Sequence, residues 1–218
     1  MSQGSPFSLH LQQMREQYDK GILSENDLHE NPMKQFEKWF TVALNNEVPE
    51  PNAMCFTSVT NNKPSSRIVL LKGLDERGFV FFTNYQSRKG EEINHNTNVC
   101  LNFFWQPLAQ QVRIEGEIRK VSAEESDAYF AVRPRESQIG AWASSQSSLI
   151  SSRKDLEDEV IRLNALYENK IIPRPPHWGG YLVIPNRIEF WQGRPNRLHD
   201  RFLYERNNEN WMVFRLAP

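Results

Sequence analysis

The sequence predicts a mainly β chain with helical additions, an α+β fold in which short antiparallel strands close into a barrel. Three features carry that reading. From Ala53 onward the apolar residues recur with the two-residue period of half-buried strands. The pattern is clearest over residues 110–121, where Val112, Ile114, Gly116 and Ile118 alternate with Arg113, Glu115, Glu117 and Arg119. Turn-forming clusters cut the strand pattern at short intervals: Asn61-Asn62-Lys63-Pro64, Asp75-Glu76-Arg77-Gly78 and Asn207-Asn208-Glu209-Asn210. Helical periodicity is confined to a few segments, and no G-x-G-x-x-G follows a strand, so a Rossmann sheet is not predicted.

Taken in order, residues 1–30 are polar and irregular and are expected to be a flexible segment, with a short helix over 14–18 ended by Gly21. Residues 31–218 are expected to be a single domain. A firm helix begins at Asn31-Pro32, because asparagine suits the N-cap and proline at the first position loses no hydrogen bond. It carries Phe36, Trp39, Phe40 and Ala43 on one face. Strands are predicted over 53–60, 67–72, 78–83, 99–105 and 110–121. Ser122-x-x-Glu125 reads as a capping box and opens a helix that carries Tyr129 and ends before Pro134. The longest helical pattern covers residues 152–169, and strands resume over 180–184, 187–191, 201–205 and 211–216.

Composition narrows the function. The 218 residues are 39% hydrophobic, enough for one full core. With 26 basic and 27 acidic side chains the net charge is -1, and there is no continuous basic stripe. This excludes a global attraction to nucleic acid or anionic lipid. Cys55 and Cys100 form no C-x-x-C pair and fit free thiols in a reducing compartment. Neither a secretory leader nor a run near the ~20 apolar residues of a membrane helix is evident, so a soluble, cytoplasmic protein without membrane association is expected. The five histidines show no metal-ligand spacing, and no metal is expected.

The basic residues cluster. Arg67 and Lys72 bracket an apolar run, Arg88-Lys89 follow a strand, Arg133 and Arg135 flank Pro134, and Arg197, His199 and Arg201 alternate with Leu198 and Asp200. Each cluster alone is either a solvated surface pair or a pocket for a phosphorylated small molecule, since arginine's fork and lysine's point charge both suit phosphate. Residues 133–148, rich in hydroxyl and amide groups, are either a surface loop or the lining of a polar ligand site. Trp178-Gly179-Gly180 and Phe190-Trp191-Gln192-Gly193 set aromatics beside glycine, which suits core packing or close approach of a flat ring. His199, between two arginines, is expected to favour its neutral form.

Several of these segments occur in order in one known family. They are 67–72, Ser87-Arg88-Lys89, 133–141, Gln146-Ser147-Ser148, Trp178-Gly179-Gly180, 189–193, 197–201 and 215–218, and through them the chain resembles the pyridoxine/pyridoxamine 5'-phosphate oxidases from about Met14 to its end. The resemblance implies an FMN-binding split β-barrel and an obligate homodimer with FMN at the subunit interface. It assigns FMN to Arg67, Ile68, Val69, Leu70, Leu71, Lys72, Phe82, Thr83, Arg88, Lys89, Gln111, Gln146, Ser147, Trp191 and Arg201. It assigns the substrate phosphate to Lys72, Tyr129, Arg133 and Ser137, and the pyridine ring to the catalytic pair Arg197 and His199 with Leu198 between them. Arg15 and Tyr18 are matched to mobile lid residues.

The implied reaction oxidises pyridoxine or pyridoxamine 5'-phosphate to pyridoxal 5'-phosphate by hydride transfer from C4' to flavin N5, with O2 reduced to hydrogen peroxide. The flavin carries that chemistry, which explains why no acid–base dyad stands out. Phe82 departs from the family, which often has tyrosine there. A non-catalytic split-barrel flavin binder and an FMN reductase are the alternatives. The first would lack the substrate residues, and the second would need a second nucleotide site, for which no motif is present.

Overall fold

The computed structural model describes residues 5–14 and 16–218. Among the described residues, nine strands form one antiparallel sheet that curls into a barrel with helices packed around it. Helix α1 (Pro6–Gln13) is capped by Ser5, whose hydroxyl accepts from the Ser8 amide. Helix α2 (Pro32–Asn45) begins as its sequence dictates, with the Asn31 side chain accepting from the Met33 amide, and buries Phe36, Trp39 and Ala43. The helix expected over 14–18 is not seen among the described residues of that range: Met14 is extended, residues 16–18 are not helical, and a helix lies earlier, where Ser5 supplies the cap.

Strand β1 (Ala53–Thr60) pairs with β2 (Lys63–Leu70) through a two-residue turn at Asn61-Asn62, both at positive φ. Two consecutive left-handed residues match the twist of a hairpin, so the strand starts at Lys63 rather than at the expected residue 67. Pro64 is tolerated because β2 ends the hydrogen-bonded order. The chain then turns directly into β3 (Gly73–Asp75), a short strand not predicted, which pairs with β4 (Gly78–Asn84). One stretch of chain thus pairs with β1 at one end and β4 at the other. The remaining pairs, β1 with β5 (Asn98–Trp105), β5 with β6 (Gln110–Lys120), β6 with β7 (Trp178–Gln192) and β7 with β4, close the circuit.

Strand β7 is continuous where two strands were expected. Its first half pairs with β4 and its second half with β8 (Asp200–Asn207), which in turn pairs with β9 (Asn210–Arg215). A bulge at Pro185-Asn186 opposite Gly116 bends it between the two partners. Gly116 is required there, because a Cβ would lie 2.2 Å from the Ile184 carbonyl oxygen.

The barrel is filled by Met54, Phe56, Phe79, Phe81, Leu101, Phe103, Val112, Ile114, Val183, Ile188 and Phe190, with Phe36 and Trp39 of α2 in the same cluster. Each such side chain contributes about 1.5–3 kcal/mol through burial. A second, smaller cluster of Phe130, Ile139, Leu163, Ile172 and Trp178 lies under α4 (Ala123–Ala131), α5 (Arg135–Ala143) and α6 (Arg153–Leu166). Ser122 caps α4 as expected, but the Glu125 side chain turns to Arg77 instead of closing the box. The reciprocal box forms on α6, between Ser152 and Asp155. Besides α1, two further α-helices among the described residues were not predicted: α5, and α3 (Arg88–His95) after β4. No helix among the described residues is long and apolar enough to cross a membrane.

Candidate functional site

A cavity of about 780 Å³ opens between strands β2 and β4, the first turn of α3, and helices α4 and α5. It gathers most of the expected residues from distant parts of the chain: Arg67, Ile68, Val69, Leu70 and Lys72 from the β2 side; Phe82 and Thr83 from β4; Arg88 and Lys89 from α3; Tyr129 and Arg133 at the end of α4; Ser137 on α5; and Gln146 and Ser147 beyond it. Leu71 instead packs against the barrel core. Residues 133–148 fold as a helix plus a short loop and line the cavity with Gly140, Ala141 and Ser144 as well.

At one end, three cations surround a single carboxylate. Glu92 Oε2 accepts from Arg67 Nη2 at 2.7 Å and from Ser58 Oγ at 2.6 Å, and Oε1 accepts from Arg88 Nε at 2.9 Å. Burial pushes the Glu92 carboxyl up, but these hydrogen bonds outweigh it and hold it at about 2. Lys89 is buried and has no carboxylate partner among the described residues. Its Nζ reaches the Thr83 hydroxyl at 3.0 Å, the Ser87 hydroxyl at 3.1 Å and Gln146 Oε1 at 3.2 Å. Burial first and the Arg67 charge second pull its ammonium down to about 8, while Glu92 acts in the opposite direction.

The other end holds Lys72, Tyr129, Arg133 and Ser137. The rings of Phe82, Tyr129 and Trp178 stack as a near-parallel ladder, with Phe82–Tyr129 centroids 3.9 Å apart and Phe82–Trp178 5.6 Å apart. Gly180 lets the ladder close, since a Cβ there would lie 2.7 Å from the Phe82 ring. The Arg133 guanidinium lies over Trp178, 4.4 Å from its centroid, and has no acidic partner among the described residues. Its Nη1 is buried without a hydrogen bond. Desolvation lowers its pKa, so an anion in the cavity would stabilise its charged form.

The other expected residues lie outside this cavity, as a second group on the same protomer. Gln111, Trp191 and Arg201 occupy one row across β6, β7 and β8, and so share a face. The His199 ring lies 4.7 Å from Trp191, and Tyr18 packs edge-on against both. His199 Nδ1 accepts from the Arg194 amide at 3.1 Å, which places the ring proton on Nε2. Burial first, then Arg197 and Arg201, lowers the His199 pKa and favours the neutral ring. Arg197 and Leu198 are exposed, and Arg197 and Asn196 both have positive φ. Arg201 is tied by Nε to Glu189 at 2.7 Å. Arg15 lies outside the described residues. Sequence reasoning missed Glu92, Ser58 and the contact role of Trp178; the only local signal for Glu92 was its four-residue spacing from Arg88.

The fit to a flavin nucleotide rests on this chemistry. Three cations against one carboxylate leave two unbalanced positive charges, which suit a phosphate monoester of roughly -2. The apolar run Ile68–Leu70 beside them suits a flat ring system. A closed, apolar-filled barrel that carries a cationic, aromatic-lined cavity between its strands and the helices packed on it fits an FMN-binding split-barrel oxidoreductase. In its fold the chain is similar to an FMN-binding protein of Nostoc punctiforme described as pyridoxamine 5'-phosphate oxidase-related, with a TM-score of 0.70 at 16% identity over 88% of this chain and 100% of that one.

Residues 40–167 match the family described as pyridoxamine 5'-phosphate oxidase, and residues 178–218 match the pyridoxine 5'-phosphate oxidase C-terminal dimerisation region. The pyridoxine/pyridoxamine 5'-phosphate oxidase of Paraburkholderia phytofirmans is 54% identical over 95% of this chain and 99% of its own length. That of Burkholderia mallei is 54% identical over the same shares. The structure of PhzG from Burkholderia lata, solved with tetrahydrophenazine-1-carboxylic acid, is similar with a TM-score of 0.85 at 30% identity, covering 90% of this chain and 98% of that one. The chain belongs to the pyridoxine/pyridoxamine 5'-phosphate oxidase family. Its cofactor is FMN, and its dimerisation region supports a homodimer.

Proposed function

We propose that the protein oxidises pyridoxine 5'-phosphate and pyridoxamine 5'-phosphate to pyridoxal 5'-phosphate, as a homodimer with FMN held between subunits. The observation that carries this reading is the division of the cavity into two separate cationic centres. One, built on Arg67, Arg88 and Lys89, takes the FMN phosphate. The other, built on Lys72 and Arg133 with Tyr129 and Ser137, takes the substrate phosphate. A flavin binder with no substrate would have no need of the second, where a half-buried arginine has no acidic partner among the described residues and one buried nitrogen has no hydrogen bond.

FMN, when bound, supplies the hydride acceptor for the substrate C4' and the route by which O2 becomes hydrogen peroxide. The protein's own residues bind and orient. The aromatic ladder fixes Tyr129 and Arg133 so that the substrate arrives with its phosphate anchored. Arg197 and His199 close on the pyridine ring from the partner subunit, where Gln111, Trp191 and Arg201 also meet the flavin. The positive φ at Asn196 and Arg197 is a local backbone cost of the kind found where a side chain must be presented. The neutral His199 ring donates from Nε2 to a ring substituent or the phosphate. Tyr18, packed on Trp191 and His199, belongs with Arg15 to a lid. The half-buried free thiols Cys55 and Cys100 fit a reducing, cytoplasmic location.

The PhzG likeness offers a second reading, a tricyclic acid as substrate, but the relatives named for the B6 phosphates are far more similar in sequence. Oxygen uptake and peroxide release, measured on flavin-replete protein with each B6 phosphate, decide the matter. Turnover of both is expected. A silent assay with the B6 phosphates would defeat the proposal, and turnover of the phenazine acid alone would transfer it to the second reading.

A further inference from the structure

Glu92 stands among the cations of the flavin-phosphate centre and yet is an anion. It joins the two elements that carry them: its own helix α3 supplies Arg88 and Lys89, and the β1–β2 hairpin supplies Ser58 and Arg67. Arg67 is held by four hydrogen bonds, from Nη1 to Ser58 Oγ and the Ser65 carbonyl and from Nη2 to Ser65 Oγ and Glu92. Arg88 is held only through Nε, and neither terminal nitrogen of its fork has a hydrogen-bond partner among the described residues. The carboxylate and Arg67 are both largely buried, so their contact is little screened by solvent, whereas the Arg88 side chain is 69% exposed.

Resting on the reading that this centre takes the FMN phosphate, we propose that Glu92 is a positioning residue for that phosphate, fixing Arg67 and aiming the free fork of Arg88 into the cavity. It touches no part of the flavin. Charge alone argues the opposite, because an anion beside the site should repel a phosphate. The inference is that geometry wins over net charge here. Two unrestrained arginines would lose side-chain freedom on binding, whereas Arg67 has already lost it in the fold and Arg88 is restrained at Nε.

The test uses the full-length dimer stripped of flavin and titrated with FMN and with riboflavin, which lacks the phosphate, by flavin fluorescence. Glu92→Gln keeps the shape and removes the charge. It should weaken FMN by about tenfold, the loss of one strong charged hydrogen bond, while riboflavin affinity stays the same. Tighter or unchanged FMN binding would overturn the inference in favour of charge alone. An equal loss for both flavins would overturn it in favour of a purely structural role. Ser58→Ala, a milder change at the same carboxylate, should give the same phosphate-specific loss at smaller size, and serves if Glu92→Gln does not fold. Lys89→Met separates this inference from the reading beneath it. If Lys89→Met loses the preference for FMN and Glu92→Gln retains it, only the role of Glu92 fails. If Lys89→Met also retains it, the phosphate does not sit at this centre.

Discussion

Arg133 lies between α4 and α5 and Trp178 opens β7, yet the guanidinium lies 4.4 Å from the indole centroid and the arginine has no acidic partner among the described residues. Such stacking of a desolvated cation on an aromatic face is worth up to about 2 kcal/mol. It also leaves the nitrogens on the guanidinium edge free, one of them buried and unpaired.

Trp178→Leu should therefore act on substrate rather than cofactor. The variant is expected to lower kcat/KM for pyridoxine 5'-phosphate by about tenfold, mainly through KM, while Trp178→Phe, which keeps a ring, loses less. Steady-state kinetics beside an FMN titration check this. Because Trp178 also belongs to the smaller core cluster, the melting temperature of both variants must be read together with the kinetics. A loss that tracks melting temperature instead of the ring would contradict it.

If the FMN phosphate sits against Lys89, as proposed, flavin affinity should depend on pH. Its ammonium sits at about 8 in the folded protein without ligand, against the usual 10.5. Raising pH through 8 removes a charge that the phosphate needs, so the FMN dissociation constant should rise between about pH 7 and 9. Stability of the flavin-free protein should move the other way. Between about 8 and 10.5 the unfolded chain holds a proton that the folded chain has released, so unfolding becomes harder as pH rises. Opposed trends in flavin titration and thermal melting, both flattened in Lys89→Met, are the expected result.

Asp200 organises the second group. Its Oδ2 accepts from the Leu23 amide and from Arg194, and its Oδ1 accepts from Arg215, which also pairs with Glu25. The segment that brings Tyr18 to Trp191 and His199 is thus pinned through the residue next to His199. Asp200→Asn should release it. Limited proteolysis near residues 19–24 is expected to quicken by about tenfold, as for the loss of one charged hydrogen bond, with little change in flavin affinity. Unaltered cleavage would show that the segment is held elsewhere.

Much of this was legible in the chain, and the exceptions have physical causes. Helix α2 and strand β1 were readable because each buries an apolar face at its own period. Helix α3 was not, because what it buries is Lys89, Glu92 and a single isoleucine, so the apolar signal is missing. Helix α5 buries only Ile139, gives Ser137, Gly140 and Ala141 to the cavity, and ties Arg135, Gln138 and Trp142 to backbone carbonyls outside it. The cationic clusters were visible as residue types. What no spacing revealed is that Arg67 to Ser147 share one cavity while Gln111, Trp191 and residues 197–201 sit on another face. That separation comes from the curl of the barrel, which sends β2 and β8 to different sides.

The same separation yields a test of the shared site. If Arg197 and His199 serve the partner's cavity, each active site draws on two chains. Arg197→Leu, and likewise His199→Asn, should then abolish substrate use while sparing flavin retention. Lys72→Met should also be inactive, through the cavity side. A dimer with one copy of each would carry both lesions in one site and neither in the other. Random assembly of the two co-expressed variants makes half of the dimers mixed, so about a quarter of wild-type activity should return. A site built within one chain allows no such recovery, since every site would keep one lesion. Activity of the co-expressed mixture, normalised to bound FMN, separates the two arrangements, and an inactive mixture in which mixed dimers are demonstrably present would rule the shared site out.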